Sequence, residues 1–184
     1  MTRKPHHVLL VDDDPMQQLL SERALKKALC SPSTFLTVRS GNEAIAYLIG
    51  EGPFADRIEF PFPIIIITDL NMPDGDGFGV LEFLQGNDTW SIVPRILFSN
   101  SADENDVRMA FQLGCSAYHL KAAGAGFDAA MCRLIEYWTN SEVPRVDAGG
   151  RLPANRSEHR GRRFTAPVPE LESMKRRTSR HESG

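Results

Sequence analysis

The stretch PIIIITDLNMPDGDG, residues 63–77, sets four consecutive isoleucines and one threonine directly before the carboxylate of Asp69. Burying each large aliphatic side chain is worth roughly 1.5–3 kcal/mol. A continuous apolar run, unlike an alternating one, suits a strand covered on both faces of a sheet. An ionised carboxylate at the end of such a strand is costly to desolvate without partners. Whatever fold the chain adopts must therefore bury this run and give Asp69 polar company.

Other segments share that grammar. HVLLV (7–11), TFLTVR (34–39), IIIIT (64–68), RILFS (95–99) and AYHL (117–120) are short, apolar and partly β-branched, so each is expected to be a strand. Between them lie longer amphipathic stretches with helix-start signals. Asp14 precedes Pro15, with Gln17 closing a box, and Ser40 with Glu43 and Ser101 with Glu104 repeat the S-x-x-E capping pattern. Val107, Ala110, Phe111 and Gly114 form one helical stripe, and Phe127, Met131, Leu134, Ile135 and Trp138 form another, so both are expected to pack on the sheet. Five βα repeats imply an α/β fold with a doubly wound parallel sheet, right-handed crossovers and helices on both sides.

The chain has 184 residues, of which 41% are hydrophobic, enough for one sound core. No segment approaches the 18 or so apolar residues of a membrane span, and the N-terminus lacks a signal-peptide pattern, so a cytoplasmic location is expected. Cys30, Cys115 and Cys132 are far apart and lack zinc-site spacing; they are expected to be reduced core thiols. Charge divides the chain near Asn140. Residues 1–140 carry 11 Lys/Arg against 18 Asp/Glu, a net −7, whereas residues 141–184 carry 10 against 6, a net +4. The second part is rich in Arg, Pro, Gly and Ser and poor in periodic apolar residues. A folded domain over 1–140 and a disordered basic tail over 141–184 follow as expectations. RGRRF and KRRTSR could neutralise phosphates, but no reader motif accompanies them, so a solvated tail is preferred to a nucleic-acid binder.

In a doubly wound sheet, functional groups gather at the carboxyl ends of the strands. Asp12 and Asp13 follow the first strand, Asp69 the third and Lys121 the fifth, and Ser99 closes the fourth. Three acids within a few ångströms repel one another by about 1–4 kcal/mol per pair. They call for a cation, and hard oxygen ligands that leave room for water and phosphate describe Mg2+ better than zinc or caged calcium. With Lys121 as a second positive group and Ser99 as a donor, the set suits phosphoryl transfer, and Asp69 is the nucleophile. Competing readings are weaker. DGDGFG places Asp74, Asp76 and Gly79 at calcium-loop positions, but Phe78 and Gln85 break the pattern. Asp14 reads as a helix cap, and His6, His7 and His119 lack ligand spacing.

The ordered motifs LLVDDDP, TDLNMP followed by DG at Asp76 and Gly77, LFSNSA and AYHLK resemble the receiver domain of two-component response regulators, the CheY-like fold, over roughly residues 5–140. The resemblance implies strand order 2-1-3-4-5 and a phosphoryl group accepted by Asp69 from a histidine kinase phosphohistidine or a phosphotransfer protein. It also implies Mg2+ on Asp13, Asp69 and the main-chain carbonyl of Asn71, with Asp12 assisting, and a switch pair of Ser99 and Tyr118. The chain would then be a signalling switch rather than a metabolic enzyme, acting through a downstream protein target. The loop GEGPFADRIEFPFP and the ending IEYW are similar to stand-alone regulators that partner bacterial phytochromes, and Tyr137 and Trp138 would either serve a homodimer interface or close the core. Two residues depart from the family pattern. Ala122 stands where proline usually follows the lysine, so a trans bond and an altered loop are expected. Asn100 stands where a small residue is common and is expected to alter the phosphoaspartate lifetime. These departures also motivate a phosphorylation-independent interaction module as an alternative, with a tail-mediated nucleic-acid regulator as a third.

Overall fold

The computed structural model describes residues 7–29, 33–121, 125–144, 146–147 and 149–151. In chain order the elements are β1 (His7–Val11), α1 (Pro15–Ala28), β2 (Thr34–Val38), α2 (Gly41–Ile49), β3 (Ile65–Thr68), α3 (Gly77–Gln85), β4 (Arg95–Ser99), α4 (Glu104–Gln112), β5 (Ala117–Leu120) and α5 (Ala125–Asn140). The five strands are parallel, in the order β2-β1-β3-β4-β5. The isoleucine run is explained by its central position. Ile65 and Ile67 join a core with Val8, Leu10, Met131 and Ile135, whereas Ile66 joins the opposite core with Leu9, Val11, Tyr47 and Leu48. Successive side chains of a strand point to opposite faces. Since α1 and α5 cover one face and α2 and α3 the other, neither set of isoleucines meets water.

Local signals set most helix starts. Asp14 caps α1 by accepting from the Met16 and Gln17 amides, Ser40 caps α2 by accepting from Glu43, and Asp76 caps α3 by accepting from Gly79. The expected Ser101 cap is not made: Asp103 caps α4, accepting from the Asn105 amide at 2.7 Å. The α4 stripe also needs correction. Ala110 faces the sheet, but Phe111, about 100° further round the helix, is 53% exposed. The α5 stripe packs as expected, with Phe127, Met131, Leu134 and Ile135 buried and Trp138 partly so.

The loop between α2 and β3 is held by one arginine. Arg57 donates to the carbonyls of Tyr47 (2.8 Å), Leu48 (2.6 Å) and Phe60 (3.2 Å), which satisfies the open carbonyls at the end of α2 and sets a cation on the negative pole of that helix. Beneath it, Tyr47 donates its hydroxyl to Pro61 O at 2.5 Å. His7 Nε2, 2.7 Å from the same hydroxyl, must therefore be the donor to it, and Nδ1 accepts from Thr34 Oγ1 at 2.7 Å. Burial holds this neutral imidazole down at about 4, from an ordinary 6.5. The unfolded chain takes up that proton first, so the stability contributed by neutral His7 is complete above pH 6.5 and declines as pH falls towards about 4. Urea unfolding across this range should show the decline, and His7→Gln, which keeps one donor and one acceptor, should lack that part of the slope.

The compact unit extends beyond the Asn140 boundary expected from composition. Val143 is buried with Leu134 and Ile135 on one side of the sheet, and Val146 packs on the other side near Phe62 and Trp90. Trp90 Nε1 donates to Gly150 O at 2.9 Å, and Asp147 folds a turn by accepting from the Gly149 and Arg151 amides. Two apolar residues and one indole anchor suffice to fix this segment, a signal too sparse for composition to register. Cys115 is buried, Cys132 is half-buried, and both are free thiols. Among the described residues no helix is long and apolar enough to cross a membrane. Cys30, Ala122 and residues 152–184, with the expectations attached to them, lie outside the described residues.

Candidate functional site

Parallel pairing in register sets the strand ends level. Val11 of β1 pairs with Thr68 of β3, so Asp12 and Asp69, the next residue of each strand, emerge side by side. The Asp69 amide donates to Val11 O at 2.8 Å, and the Asp12 amide donates to Val38 O at 3.1 Å. Asp12, Asp13 and Asp69 each bring a carboxylate oxygen within 4.8 Å of the others. From the far side Lys121 Nζ donates to Asp12 Oδ2 at 2.8 Å and to Asp69 Oδ2 at 2.7 Å. The lysine backbone is fixed where β5 ends, its amide donating to Ser99 O at 2.8 Å.

The remaining oxygens are engaged by backbone. Asp69 Oδ1 accepts from the Leu70 amide at 2.6 Å, and Asp12 Oδ1 from the Asp14 amide at 3.0 Å. Buried Gln18 on α1 donates its side-chain amide to Asp12 O. The loop leaving Asp69 turns back sharply, with the Gly77 amide donating to Leu70 O at 2.9 Å, and a β-carbon at Gly77 would lie 2.3 Å from Asp69 O. Its outer limb is pinned to α2, where Gly41 donates to Gly75 O at 2.9 Å and Asn42 Nδ2 donates to Asp74 Oδ1 at 2.7 Å. The DGDG sequence is accounted for by these contacts. Gly75 holds φ +79°, Asp76 is the α3 cap, and neither Asp74 nor Asp76 joins the acid cluster.

Asp12 is 2% exposed and Asp69 9%. Burial is the main reason the Asp12 carboxyl sits above its ordinary value, and the Asp69 charge adds to it, against the opposing pull of Lys121 and the Asp14 amide. A carboxyl that holds its proton more tightly when folded contributes stability below its unfolded value of 3.8, and that contribution is lost as pH rises through the folded value. At neutral pH, ionised Asp12 therefore weakens the cation-free fold. Asp12→Asn should raise stability in EDTA by about 0.5–2 kcal/mol, read from urea midpoints, while the wild type should gain more on adding Mg2+.

With all three acids ionised, one ammonium leaves the cluster with excess negative charge, and among the described residues no ion pair reaches Asp13. Three hard carboxylates open on one side fit an oxygen-seeking divalent cation that keeps several waters. Asn71 is exposed two residues beyond Asp69. Ser99 and Tyr118 meet at Ser101, whose amide donates to Ser99 Oγ (3.2 Å) and whose carbonyl accepts from Tyr118 (2.9 Å). Gln18 is a site residue that the sequence did not single out, whereas Gly77 was named in the DG pair.

An acid cluster bridged by a lysine at the carboxyl edge of a 2-1-3-4-5 sheet defines a CheY-like α/β protein. Residues 8–126 match the response regulator receiver domain family, and the chain belongs to it. It is 29% identical over 118 residues to response regulator Rcp1 of Synechocystis, covering 64% of this chain and 78% of that one. The solved structure of a phosphorylated cyanobacterial phytochrome response regulator, RcpA, superposes with a TM-score of 0.71 at 30% identity, covering 77% of this chain and all of that one. The Mn2+-bound form of Rcp1 gives a TM-score of 0.70 at 25% identity, with the same coverage.

Proposed function

We propose that this chain is a phosphorylation-dependent signalling switch in which Asp69 accepts a phosphoryl group from a phosphohistidine of a sensor histidine kinase or phosphotransfer protein. The observation that carries this reading is Lys121 Nζ held between Asp12 Oδ2 and Asp69 Oδ2 in a cluster of three acids. A bridging cation at hydrogen-bond distance from the nucleophile can pass from carboxylate to phosphoryl oxygen without a large movement. In the transfer an Asp69 oxygen forms a bond to phosphorus as the phosphorus–nitrogen bond of the donor breaks, and the imidazole leaves with the electron pair. Asp12, Asp13, Asp69 and the Asn71 carbonyl would hold Mg2+, which supplies positive charge for the phosphoryl oxygens when bound. Lys121 then stabilises one phosphoryl oxygen and Ser99 donates to another.

The phosphorylated form of RcpA and the Mn2+-bound form of Rcp1 support the reading, and RcpA, a phytochrome response regulator, favours a phytochrome-type kinase as donor. Ser99 and Tyr118 would carry the change to the surface of α4, β5 and α5, and output would follow from binding another protein. Intact-protein mass after incubation with acetyl phosphate and Mg2+ tests this. One phosphoryl group should add to the wild type and none to Asp69→Ala. No addition to the wild type, or equal addition to the variant, would overturn the assignment.

A further inference from the structure

The sequence SNSADEND, residues 99–106, offers Ser101 as a helix cap, yet Asp103 takes that duty. Ser101 is thereby freed, and its polar groups reach three different elements. Its amide donates to Ser99 Oγ on β4 at 3.2 Å, and its carbonyl accepts from Tyr118 on β5 at 2.9 Å. Its hydroxyl accepts from the Asp103 amide at 3.3 Å and lies 2.5 Å from Asp106 Oδ2 on α4. A carboxylate can only accept, so Ser101 is the donor, and a short bond to a charged acceptor is among the stronger kinds. The hydroxyl is fixed in both roles, and the bonds to Ser99 and Tyr118 hold the peptide groups on either side.

From this arrangement we infer that Ser101 and Asp106 are positioning residues for the phosphoryl site, a latch that sets Ser99 and Tyr118 together and ties both to α4. The inference rests on the reading of Asp69 as phosphoacceptor. Because Ser99 Oγ has a lone pair occupied by the Ser101 amide, its own proton is left to donate towards a phosphoryl oxygen at the neighbouring strand end. Because Tyr118 bonds to the carbonyl of the same residue, its ring is held by the group that aims Ser99. Any displacement of Ser99 towards a phosphoryl group must then draw on Ser101, and Asp106 passes it to the first turn of α4. Coupling of this kind is reciprocal, so weakening the latch weakens the response at the phosphoryl site.

The chain has three tyrosines, so 3-fluorotyrosine labelling gives three 19F resonances, and Tyr118→Phe assigns the one of interest. Ser101→Ala and Asp106→Ala should each shift the Tyr118 resonance in the absence of any phosphodonor. Each should also slow phosphoryl uptake from acetyl phosphate by roughly tenfold, the loss expected for one charge-assisted bond. The double variant should be no slower than either single one, since both break the same bond, and Ser101→Thr, which keeps the hydroxyl, should restore both readouts. An unmoved Tyr118 resonance in both single variants, or additive losses of rate, would overturn the latch. Failure of the wild type to take up phosphate would instead sink the Asp69 assignment, and the resonance would still decide whether Ser101 and Asp106 position Tyr118.

Discussion

Lys121→Met should slow phosphoryl uptake from acetyl phosphate by roughly 10²- to 10³-fold at saturating Mg2+, the penalty typical of removing one preorganised donor from developing negative charge. The lysine is buried, with only 3% of its side chain exposed, and both its bonds go to carboxylates that are themselves nearly buried. Methionine keeps the length of the side chain and part of its packing, so the loss should lie in the charge. In the wild type the ammonium needs no reorganisation at the moment of the proposed transfer, because it already touches the Asp69 carboxylate. The variant should also bring Asp12 and Asp69 together with no ammonium between them. It should therefore lose stability in EDTA and recover more of it on adding Mg2+ than the wild type does. Lys121→Arg is a separate test, since a planar fork differs from a point charge in geometry. A Lys121→Met rate within twofold of wild type would show that Lys121 holds the cluster together without taking part in transfer.

Gly77→Ala should lower stability by about 1–3 kcal/mol or more and impair phosphoryl uptake together. The new β-carbon would meet Asp69 O at 2.3 Å, Leu70 Cα at 3.0 Å and Leu97 Cδ2 at 3.0 Å, and two of these three are backbone. Backbone on both sides of the contact must move, and one of the moving residues is Asp69, the proposed phosphoacceptor. For a chain of this length the thermal midpoint should fall by roughly 2–4 °C for each kcal/mol lost. Gly79→Ala, two residues on in the same helix, is the control. There the added carbon meets only Asp76 Oδ1, at 3.5 Å, an ordinary contact. Alanine in a helix is favoured over glycine by roughly 0.5–1 kcal/mol, so Gly79→Ala should hold or raise the midpoint. Equal losses from both variants would point to helix α3 in general rather than to close packing under Asp69.

Ionised Asp12 lowers the stability of the cation-free fold. Burial raises the Asp12 carboxyl against the pull of Lys121, so ionising it at neutral pH is resisted by its surroundings. The carboxyl edge of this sheet is thus poised to gain from any cation that enters it. Gln18 and the Leu70 and Asp14 amides hold the acids in place meanwhile, so the geometry does not relax to relieve the charge.

What the sequence determined by itself is what depends on near neighbours. Four isoleucines in a row required a strand buried on both faces, and Asp14, Ser40 and Asp76 each cap the helix that follows them. Five βα repeats in parallel then brought Asp12, Asp13, Asp69 and Lys121 to one edge, because every strand of such a sheet ends on the same side. Only the tertiary structure decided the rest. Asp103 rather than Ser101 caps α4, while the Ser101 carbonyl accepts from Tyr118, 17 residues away. Phe111 is exposed because α4 turns Ala110 to the sheet, and Val143, Val146 and Gly150 are held by packing with Leu134 and Phe62 and by the bond from Trp90. Gly77 is required by Asp69 O, an atom eight positions earlier that only the return of the loop brings close. Periodicity and capping report contacts within a turn or a strand, whereas these contacts join elements whose mutual placement is set by packing the two faces of the sheet.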